Sequence, residues 1–597
     1  MSDKQKPSIK LPDGKAVAAS LSRITQTGRR LVTEYLGRQA KGEAAPPSDG
    51  GVVARAFLEL SQKMVASPQK MIEIQMSFWK DYLALWERTS RRMLGAEVEP
   101  VIQPSPEDRR FKDEEWAKSA VFDFIKQSYL LTARSLQQAV TDVDGLDPKT
   151  AERVDFYTRQ FVDAISPTNT IALNPTVLKA TLESGGENLM KGLANLLEDL
   201  ERGKGDLRIS MQDMKSFEVG RDVAAAPGQV IFQNDLMQLI QYAPATEKVH
   251  ERPLLIVPPW INKYYVLDLG VKNSFVRWAV AQGLTVFVIS WVNPDEKLAQ
   301  KGFEDYLAEG PLAALDVIEK ITGVHEVSAV GYCLGGTLLA CALAYLAGKG
   351  DERITAATLF TTMTDFSEPG ELSVFIDEEQ LQLLEKQMSD RGYLDGAQMA
   401  AAFSMLRSND LVWSFVVNNY LLGRDPMPFD VLYWGSDSTR MPAKMHTYYL
   451  RNMYQHNRLR EPNGITLLGQ PIDLGKVTVP IYFLSTREDY IAPWKTTYLG
   501  TQLVRGPVRF VLGGSGHIAG VVNPAGSKKY GYSTNPEMPK DPDAWLAGAT
   551  SHAGSWWPDW LAWQKATAGV EVPARTPGGG VVTPIEAAPG SYVRVRY

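Results

Sequence analysis

The sequence is poor in the features that mark several classes of protein. It has only two cysteines, Cys333 and Cys341, which lie too close in the chain to staple distant elements, so a disulfide scaffold is excluded and a reducing compartment is predicted. Its longest nearly apolar run, Leu338 to Ala347, is far shorter than the about 20 residues of a membrane-spanning helix. The residues from Met1 to Lys6 include no apolar stretch typical of a secretory signal. A cytoplasmic protein without a transmembrane segment is expected.

Charge of one sign and metal-binding motifs are scarce as well. The net charge is only -6 over 597 residues, and no basic block of domain size is present, so no nucleic-acid partner is expected. The sequence contains no His-Glu-x-x-His, no Cys-x-x-Cys and no Gly-x-x-x-x-Gly-Lys pattern, which predicts no metal and no nucleotide-hydrolysing site. The apolar fraction of 44% is typical of a globular protein.

What is present divides the chain into regions of different character. Residues 1–52 end in a Pro- and Gly-containing linker and are predicted to be a flexible segment. Helical periodicity predicts an all-α domain over 53–205, with apolar and aromatic residues such as Met71, Phe78 and Trp86 at helical spacing. That spacing is typical of helix packing, and a surface for a partner or particle is the alternative.

Buried apolar runs alternating with helices characterise the rest of the chain, 206–597. The runs fall at 253–257, 284–289, 327–330, 356–362, 481–484 and 509–512, preceded by short β-type runs at 217–219, 229–233 and 237–242. Such alternation predicts an α/β domain with a mostly parallel sheet covered on both faces. Residues 366–475 contain no clear core strand and are predicted to be a lid or cap inserted over an active site. An extended tail is predicted over about 564–597.

The central motif is Gly-x-Cys-x-Gly at 331–335, between a predicted buried strand and an apolar helix. This arrangement is typical of the nucleophile elbow of an α/β-hydrolase, with Cys333 as the nucleophile. The helix start favours a thiolate on Cys333, and the backbone N–H of Leu334 is placed to bind an oxyanion. Cys341, deep in the helix, is predicted to be a buried small hydrophobe.

A thiol nucleophile requires a base and an acid, which follow it in this fold in the order acid, then histidine. Asp489 follows the strand-like run 481–484 and is the candidate acid, with Glu488 as its rival. His517 follows the run 509–512 in a glycine-rich loop and is the candidate base. The other five histidines precede the acid, lie in the insertion or lie beyond the core strands.

Further candidates surround the predicted triad. The loop after 253–257 is the expected source of the second oxyanion donor, assigned to the N–H of Trp260 or Ile261. Four residues are candidates for the substrate pocket: Asn262 and Asp268, near that loop, and Tyr433 and Trp434, in the insertion. Plain packing is the alternative for the two aromatic residues.

Together these residues resemble a polyhydroxyalkanoate synthase of class I. The resemblance covers roughly 105–595 and includes the modified lipase box Gly331-Tyr-Cys-Leu-Gly-Gly336, Pro258 to Leu269, Ser290 to Asp295, Arg487-Glu-Asp489, Gly514 to Pro524 and Gly554 to Trp560. Trp260 stands where some members have cysteine.

The resemblance implies polymerisation of (R)-3-hydroxyacyl-coenzyme A, with the 3-hydroxybutyryl thioester as the expected substrate, with release of coenzyme A and no cofactor. It also implies a homodimer at the surface of cytoplasmic polyester granules, with the N-terminal region contacting granule or partner. Two alternatives stay open: a cysteine thioesterase or hydrolase of the same fold, and a non-catalytic granule scaffold.

Overall fold

An open sheet of 11 strands forms the centre of the C-terminal part of the chain. The computed structural model describes residues 50–66, 68–141, 143, 145–205 and 207–596, so the flexible segment predicted over 1–52 lies almost wholly outside the described residues. The chain divides into two units, the first from Met1–Asp213 with Phe403–Met427 and the second from Met214–Ala402 with Pro428–Tyr597.

The first unit is helical, as predicted for the N-terminal region. Its N-terminal α-helices are Gly50–Ala66, Pro68–Met93, Glu115–Lys118, Ala120–Thr141, Pro148–Ala164, Pro175–Ser184 and Glu187–Arg202. Two of these helices have side-chain caps at their N-termini: Asp147 accepts a hydrogen bond from the Thr150 N–H, and Asn174 accepts from the Thr176 and Val177 N–H groups.

The division differs from the predicted one in two respects: the boundary falls after Asp213 and not after 205, and the predicted catalytic domain, which included all of 366–475, loses part of that insertion. Residues 403–427 belong to the helical unit. Gly192 allows the backbone of Tyr420 to approach its helix closely, and the Tyr420 hydroxyl donates to Asp199 at 2.5 Å. Asn188 adds a bond to the Leu421 carbonyl at 2.7 Å. Pairing of these buried polar groups holds the segment there.

The sheet of the second unit is parallel at its centre and antiparallel at both sides. Its strands, in chain order β1 to β11, are Gly228–Gln233, Met237–Tyr242, Leu254–Val257, Val286–Trp291, Val327–Tyr332, Ile354–Phe360, Ile481–Thr486, Val508–Gly513, Tyr532–Thr534, Thr550–His552 and Glu586–Ala587. The spatial order is β10-β9-β8-β7-β6-β5-β3-β4-β2-β1-β11, and the strands from β8 to β4 in that order are parallel.

This sheet confirms the predicted α/β fold. The parallel strands are almost wholly buried because helices cover both faces, as their continuous apolar runs indicate. The α-helices outside the insertion are Phe275–Ala281, Phe303–Leu307, Ala313–Thr322, Leu334–Lys349, Trp494–Leu499, Pro542–Ala547 and Trp557–Lys565. The run at 217–219 does not form a strand; Val219 makes only an isolated bridge to Val223.

The insertion between β6 and β7 is mainly helical, with short two-stranded pairings. Its α-helices are Glu378–Arg391, Gly396–Leu406, Asp430–Gly435 and Ala443–Tyr449, and a π-helical turn follows at Leu450–Gln455. The small strands pair locally, as in Ile465–Leu467 with Gln470–Ile472, and none joins the central sheet. The parallel strands β6 and β7 nevertheless lie side by side, so the insertion leaves and re-enters at neighbouring positions.

Candidate active site

Cys333 lies at the sharp turn between β5 and the helix that follows it. Its φ of 51° and ψ of -119° form a strained conformation that a non-glycine residue rarely adopts, as a nucleophile elbow requires. A Cβ atom on Gly331 would overlap the backbone of Gly336, and one on Gly335 would overlap the carbonyl oxygen of Val257. The turn therefore requires glycine on both sides of the cysteine.

His517 lies in the glycine-rich loop after β8, with a buried side chain. Its ring stacks on the ring of Tyr332, with the centroids 5.6 Å apart. The Tyr332 hydroxyl also donates a hydrogen bond to the His517 backbone carbonyl at 3.0 Å. Because Tyr332 directly precedes Cys333, the elbow itself holds the histidine loop in place.

Asp489 follows β7 and its carboxylate has no exposed surface. Its Oδ1 accepts hydrogen bonds from the backbone N–H groups of Ile491 at 2.9 Å and Ala492 at 2.8 Å. Its Oδ2 lies 2.7 Å from His517 Nδ1 and accepts a longer bond from the Thr486 hydroxyl at 3.3 Å. The backbone bonds orient the carboxylate so that its other oxygen faces the imidazole.

The imidazole of His517 lies between the carboxylate and the thiol. Burial by itself lowers the pKa of His517, but the Asp489 carboxylate, which hydrogen-bonds the ring, and the Cys333 side chain together outweigh burial and raise it to about 10. Glu488, the rival acid, is exposed and directs its backbone N–H to the Ser515 carbonyl, so the geometry favours Asp489.

The predicted oxyanion donors lie on two segments that contact each other. Leu334 begins the helix after the elbow, and its N–H has no acceptor among the described residues. The loop after β3 approaches that helix so closely that a Cβ atom on Gly335 would lie 2.6 Å from the Pro258 carbonyl oxygen. On this loop, the N–H groups of Trp260 and Ile261 also have no acceptor in the described part of the chain.

Three of the four candidate pocket residues contact one another or the chain's end. The Asn262 amide donates to the Trp434 carbonyl at 3.4 Å, and the Trp434 indole N–H donates to the Lys263 carbonyl at 2.6 Å. The Tyr433 ring lies 4.7 Å from the Arg596 guanidinium carbon and its hydroxyl pairs with that group. Their role in a pocket stays a prediction.

Asp268, the fourth candidate, is buried in the scaffold. Its carboxylate accepts from the Ala226 N–H at 3.0 Å and from the Ser274 hydroxyl at 2.6 Å, and Ser274 in turn caps a helix by accepting from the Arg277 N–H. Burial raises the pKa of Asp268 despite these bonds. The carboxylate therefore joins two segments of the fold, and no hydrogen bond connects it to Cys333, Asp489 or His517 among the described residues.

Aromatic residues of the insertion that the sequence analysis did not single out lie near the nucleophile. The Cys333 side chain helps to raise the pKa of Tyr449 and of Tyr454, in each case after the larger effect of burial. The Tyr449 ring lies 6.2 Å from Trp260 and 5.9 Å from Tyr454, and Phe366 lies 5.1 Å from Tyr454. Local sequence does not predict that Tyr449 and Tyr454 lie near Cys333, because in sequence they look like ordinary packing residues of a helix.

The described residues form neither a metal-binding cluster nor a membrane-spanning helix. No group of three or more histidine, cysteine, aspartate or glutamate side chains is arranged to hold a metal ion within the described ranges. No helix in the part of the chain that the structure describes has the length and apolar character needed to cross a membrane.

Comparison with known families finds two matching regions in the chain. Residues 107–279 match the family model described as poly-beta-hydroxybutyrate polymerase (PhaC) N-terminus, and residues 253–524 match the alpha/beta hydrolase fold. The second match spans the elbow, the acid and the histidine loop described above.

Curated relatives cover nearly the whole chain. The poly(3-hydroxyalkanoate) polymerase of Methylorubrum extorquens is 50% identical over 91% of this chain and 90% of that protein. The polymerase subunit of Rhizobium meliloti is 48% identical over 98% and 96%, and that of Cupriavidus necator is 42% identical over 94% of each chain. With a buried histidine and aspartate beside a cysteine at a nucleophile elbow, and with this similarity along its length, the chain belongs to the poly(3-hydroxyalkanoate) polymerase family.

Proposed function

We propose that the protein polymerises (R)-3-hydroxyacyl-coenzyme A, with 3-hydroxybutyryl-coenzyme A as the preferred substrate, and releases coenzyme A. The observation that carries this proposal is the line of side chains Cys333, His517 and Asp489 at the elbow of a chain that belongs to this family. The reaction is an acyl transfer and requires no cofactor, because coenzyme A enters as part of the substrate.

The first step forms an acyl-enzyme. His517 takes the proton of the Cys333 thiol, and the sulfur attacks the thioester carbonyl carbon. The negative charge that develops on the carbonyl oxygen is stabilised by the N–H groups of Leu334 and Ile261. The tetrahedral intermediate collapses with loss of the coenzyme A thiolate, which takes the proton from His517. One thioester replaces another, so the step costs little free energy.

The second step forms the ester bond of the polymer. The 3-hydroxyl of another acyl-coenzyme A attacks the acyl-Cys333 carbonyl while His517 removes the hydroxyl proton, and the sulfur leaves as the thiol after taking that proton back. The lengthened acyl-coenzyme A can acylate Cys333 again with release of coenzyme A. Asp489 keeps the imidazole in the tautomer whose Nε2 is free to accept these protons.

The insertion supports transfer to an alcohol in preference to water. Tyr449 and Tyr454, whose pKa values the Cys333 side chain helps to raise, form an aromatic cluster with Phe366 and Trp260. An apolar wall excludes water from the acyl-enzyme, and hydrolysis there would end the chain. Three residues stay candidates for contacts with the substrate, namely Asn262, Tyr433 and Trp434.

The helical unit is proposed to associate with the polyester granule or with a granule protein, and the enzyme to act as a homodimer at the surface of cytoplasmic granules. In the helix Pro68–Met93, five apolar side chains at spacings of three or four residues are exposed, namely Ile72, Met76, Trp79, Leu83 and Trp86. A stripe of this kind on one helix face is typical of an interaction surface.

A direct assay tests the catalytic proposal. Incubation with (R)-3-hydroxybutyryl-coenzyme A is expected to release free thiol and form insoluble polyester. Cys333→Ala should abolish both, whereas the matched variant Cys341→Ala should retain them because Cys341 is fully buried in the helix behind the elbow. Thiol release with only soluble acid would favour the thioesterase, and no thiol release would favour the scaffold. Polymer from Cys333→Ala would refute the mechanism.

A further inference from the structure

The insertion contacts the loop after β3 through a short paired segment. The hydroxyl of Thr439 donates a hydrogen bond to the carbonyl oxygen of Trp260, and the backbone N–H of Thr439 donates to the carbonyl of Ile261 at 3.1 Å. Asn262 and Ser438 form an isolated antiparallel bridge next to these bonds. The insertion therefore binds the backbone of the loop that carries the second candidate oxyanion donor.

One of these bonds fixes the direction of that donor. The carbonyl of Trp260 and the N–H of Ile261 belong to the same peptide group, and in a planar trans peptide they point in opposite directions. When the Thr439 hydroxyl holds the carbonyl, the N–H is turned away from Thr439, and it has no acceptor among the described residues. An N–H that is held in place without a partner is a preorganised donor.

Thr439 is itself held rigidly on both sides. On one side, the carboxylate of Asp437 accepts from the Tyr265 hydroxyl at 2.7 Å and lies 3.6 Å from Arg596. On the other, the Arg440 N–H donates to the Asn293 side chain at 3.0 Å. These partners belong to the core and to the chain's C-terminal segment, so the paired segment is fixed to the scaffold.

The other end of the loop is fixed to the elbow. The Trp291 indole N–H donates to the Pro258 carbonyl at 2.8 Å, and that carbonyl lies against Gly335 at the start of the nucleophile helix. The loop is thus anchored next to the nucleophile at Pro258 and anchored to the insertion at Trp260. The Ile261 N–H directly follows the second anchor.

We propose that Thr439 is a positioning residue for the oxyanion site: its hydroxyl orients the Trp260–Ile261 peptide so that the Ile261 N–H stabilises the oxyanion formed during attack by Cys333. This inference rests on the proposed acyl transfer. It assigns the insertion a part in transition-state stabilisation in addition to the exclusion of water.

The test compares Thr439→Val and Thr439→Ala, which remove the hydroxyl, with Thr439→Ser, which retains it, in the full-length protein. The initial rate of coenzyme A release from (R)-3-hydroxybutyryl-coenzyme A gives kcat and KM. The second readout is the rate of alkylation of Cys333 by iodoacetamide, because displacement of iodide at a saturated carbon forms no oxyanion. A merely structural defect would lower the alkylation rate too.

Without the hydroxyl, kcat should fall about 10- to 100-fold. KM and the alkylation rate should stay within about twofold of the wild type, since only the transition state loses a contact. Thr439→Ser should recover most of kcat. Thr501→Val is the matched control, because Thr501 is also buried and its hydroxyl also donates to a backbone carbonyl, that of Tyr498 at 2.7 Å; it should leave kcat unchanged.

Two results would overturn the inference. One is a wild-type kcat in Thr439→Val and Thr439→Ala. The other is a parallel loss of Cys333 alkylation or of folding in both, which would make Thr439 a scaffold residue. If the wild type releases coenzyme A but forms only soluble acid, the proposed polymerisation fails while the Thr439 comparison still stands, since hydrolysis passes through the same oxyanion.

Discussion

Replacement of Asp489 by asparagine should disable the enzyme without unfolding it, and the hydrogen bonds of the carboxylate explain why. Its Oδ1 accepts from the backbone N–H groups of Ile491 and Ala492, and its Oδ2 faces His517 Nδ1. An asparagine has one oxygen and one NH2 group to place at these two positions. The choice between the two orientations decides which nitrogen of His517 carries the proton.

The backbone donors decide the orientation. If the asparagine NH2 faced the two N–H groups, both buried donors would lose their acceptor, at about 1–3 kcal/mol each. The amide oxygen should therefore stay with Ile491 and Ala492, and the NH2 should face His517. Nδ1 must then accept a hydrogen bond, so the proton moves to Nε2, which can no longer take the proton of Cys333. A wrong tautomer of this kind lowers kcat by about 10⁴ in a serine protease.

The assay is coenzyme A release together with thermal unfolding. Asp489→Asn should reduce kcat by about 10³- to 10⁴-fold with little change in Tm. Asp268→Asn is the matched control, because that buried carboxylate also accepts from a backbone N–H, but its second partner is the Ser274 hydroxyl, which can rotate to accept. More than about a tenth of wild-type kcat in Asp489→Asn would refute the tautomer argument.

Two further predictions concern pH and the elbow. Because the pKa of His517 is raised, its charge stabilises the fold fully below about pH 6.5, and this contribution is lost as the pH rises through about 10. The Tm of the wild type should therefore exceed that of His517→Gln by less and less as the pH rises from about 6.5 to about 10. A Tm difference that stays constant over this range would contradict the prediction. Gly335→Ala should lower Tm and abolish coenzyme A release, because its Cβ atom would overlap the Val257 carbonyl oxygen. Gly526→Ala, with no atom within 4 Å of its Cβ position, should change neither, and a fully active Gly335→Ala would show that the close approach is not required.

Much of the fold and the centre of the site follow from local sequence. The buried runs that predicted parallel strands became β3 to β8, because a strand covered on both faces must be apolar along its whole length. The triad candidates could be named because glycines at 331 and 335 mark a turn that only small residues allow, and because the fold orders acid and histidine after the nucleophile. The structure brings Asp489 and His517 to 2.7 Å, across 28 residues of chain.

The edge strands of the sheet and the surroundings of the site could not be predicted from local sequence. Strands β9 to β11 are only two or three residues long and carry no periodicity of their own. Residues 403–427 resemble the rest of the insertion in sequence, yet they belong to the helical unit through contacts such as that of Tyr420 with Asp199. Their place depends on partners more than 200 residues away.

The sequence by itself thus determined the chemistry of this protein: a cysteine at an elbow, a base and an acid in the order the fold requires. Only the tertiary structure decided what supports that chemistry. Tyr449 and Tyr454 lie near the sulfur, and Thr439 holds the Trp260 carbonyl, across 179 residues. A motif such as the elbow consists of adjacent residues because a single turn of the backbone requires them. A contact between an insertion and a core loop depends on tertiary packing, and no local sequence pattern predicts which residues will be in contact.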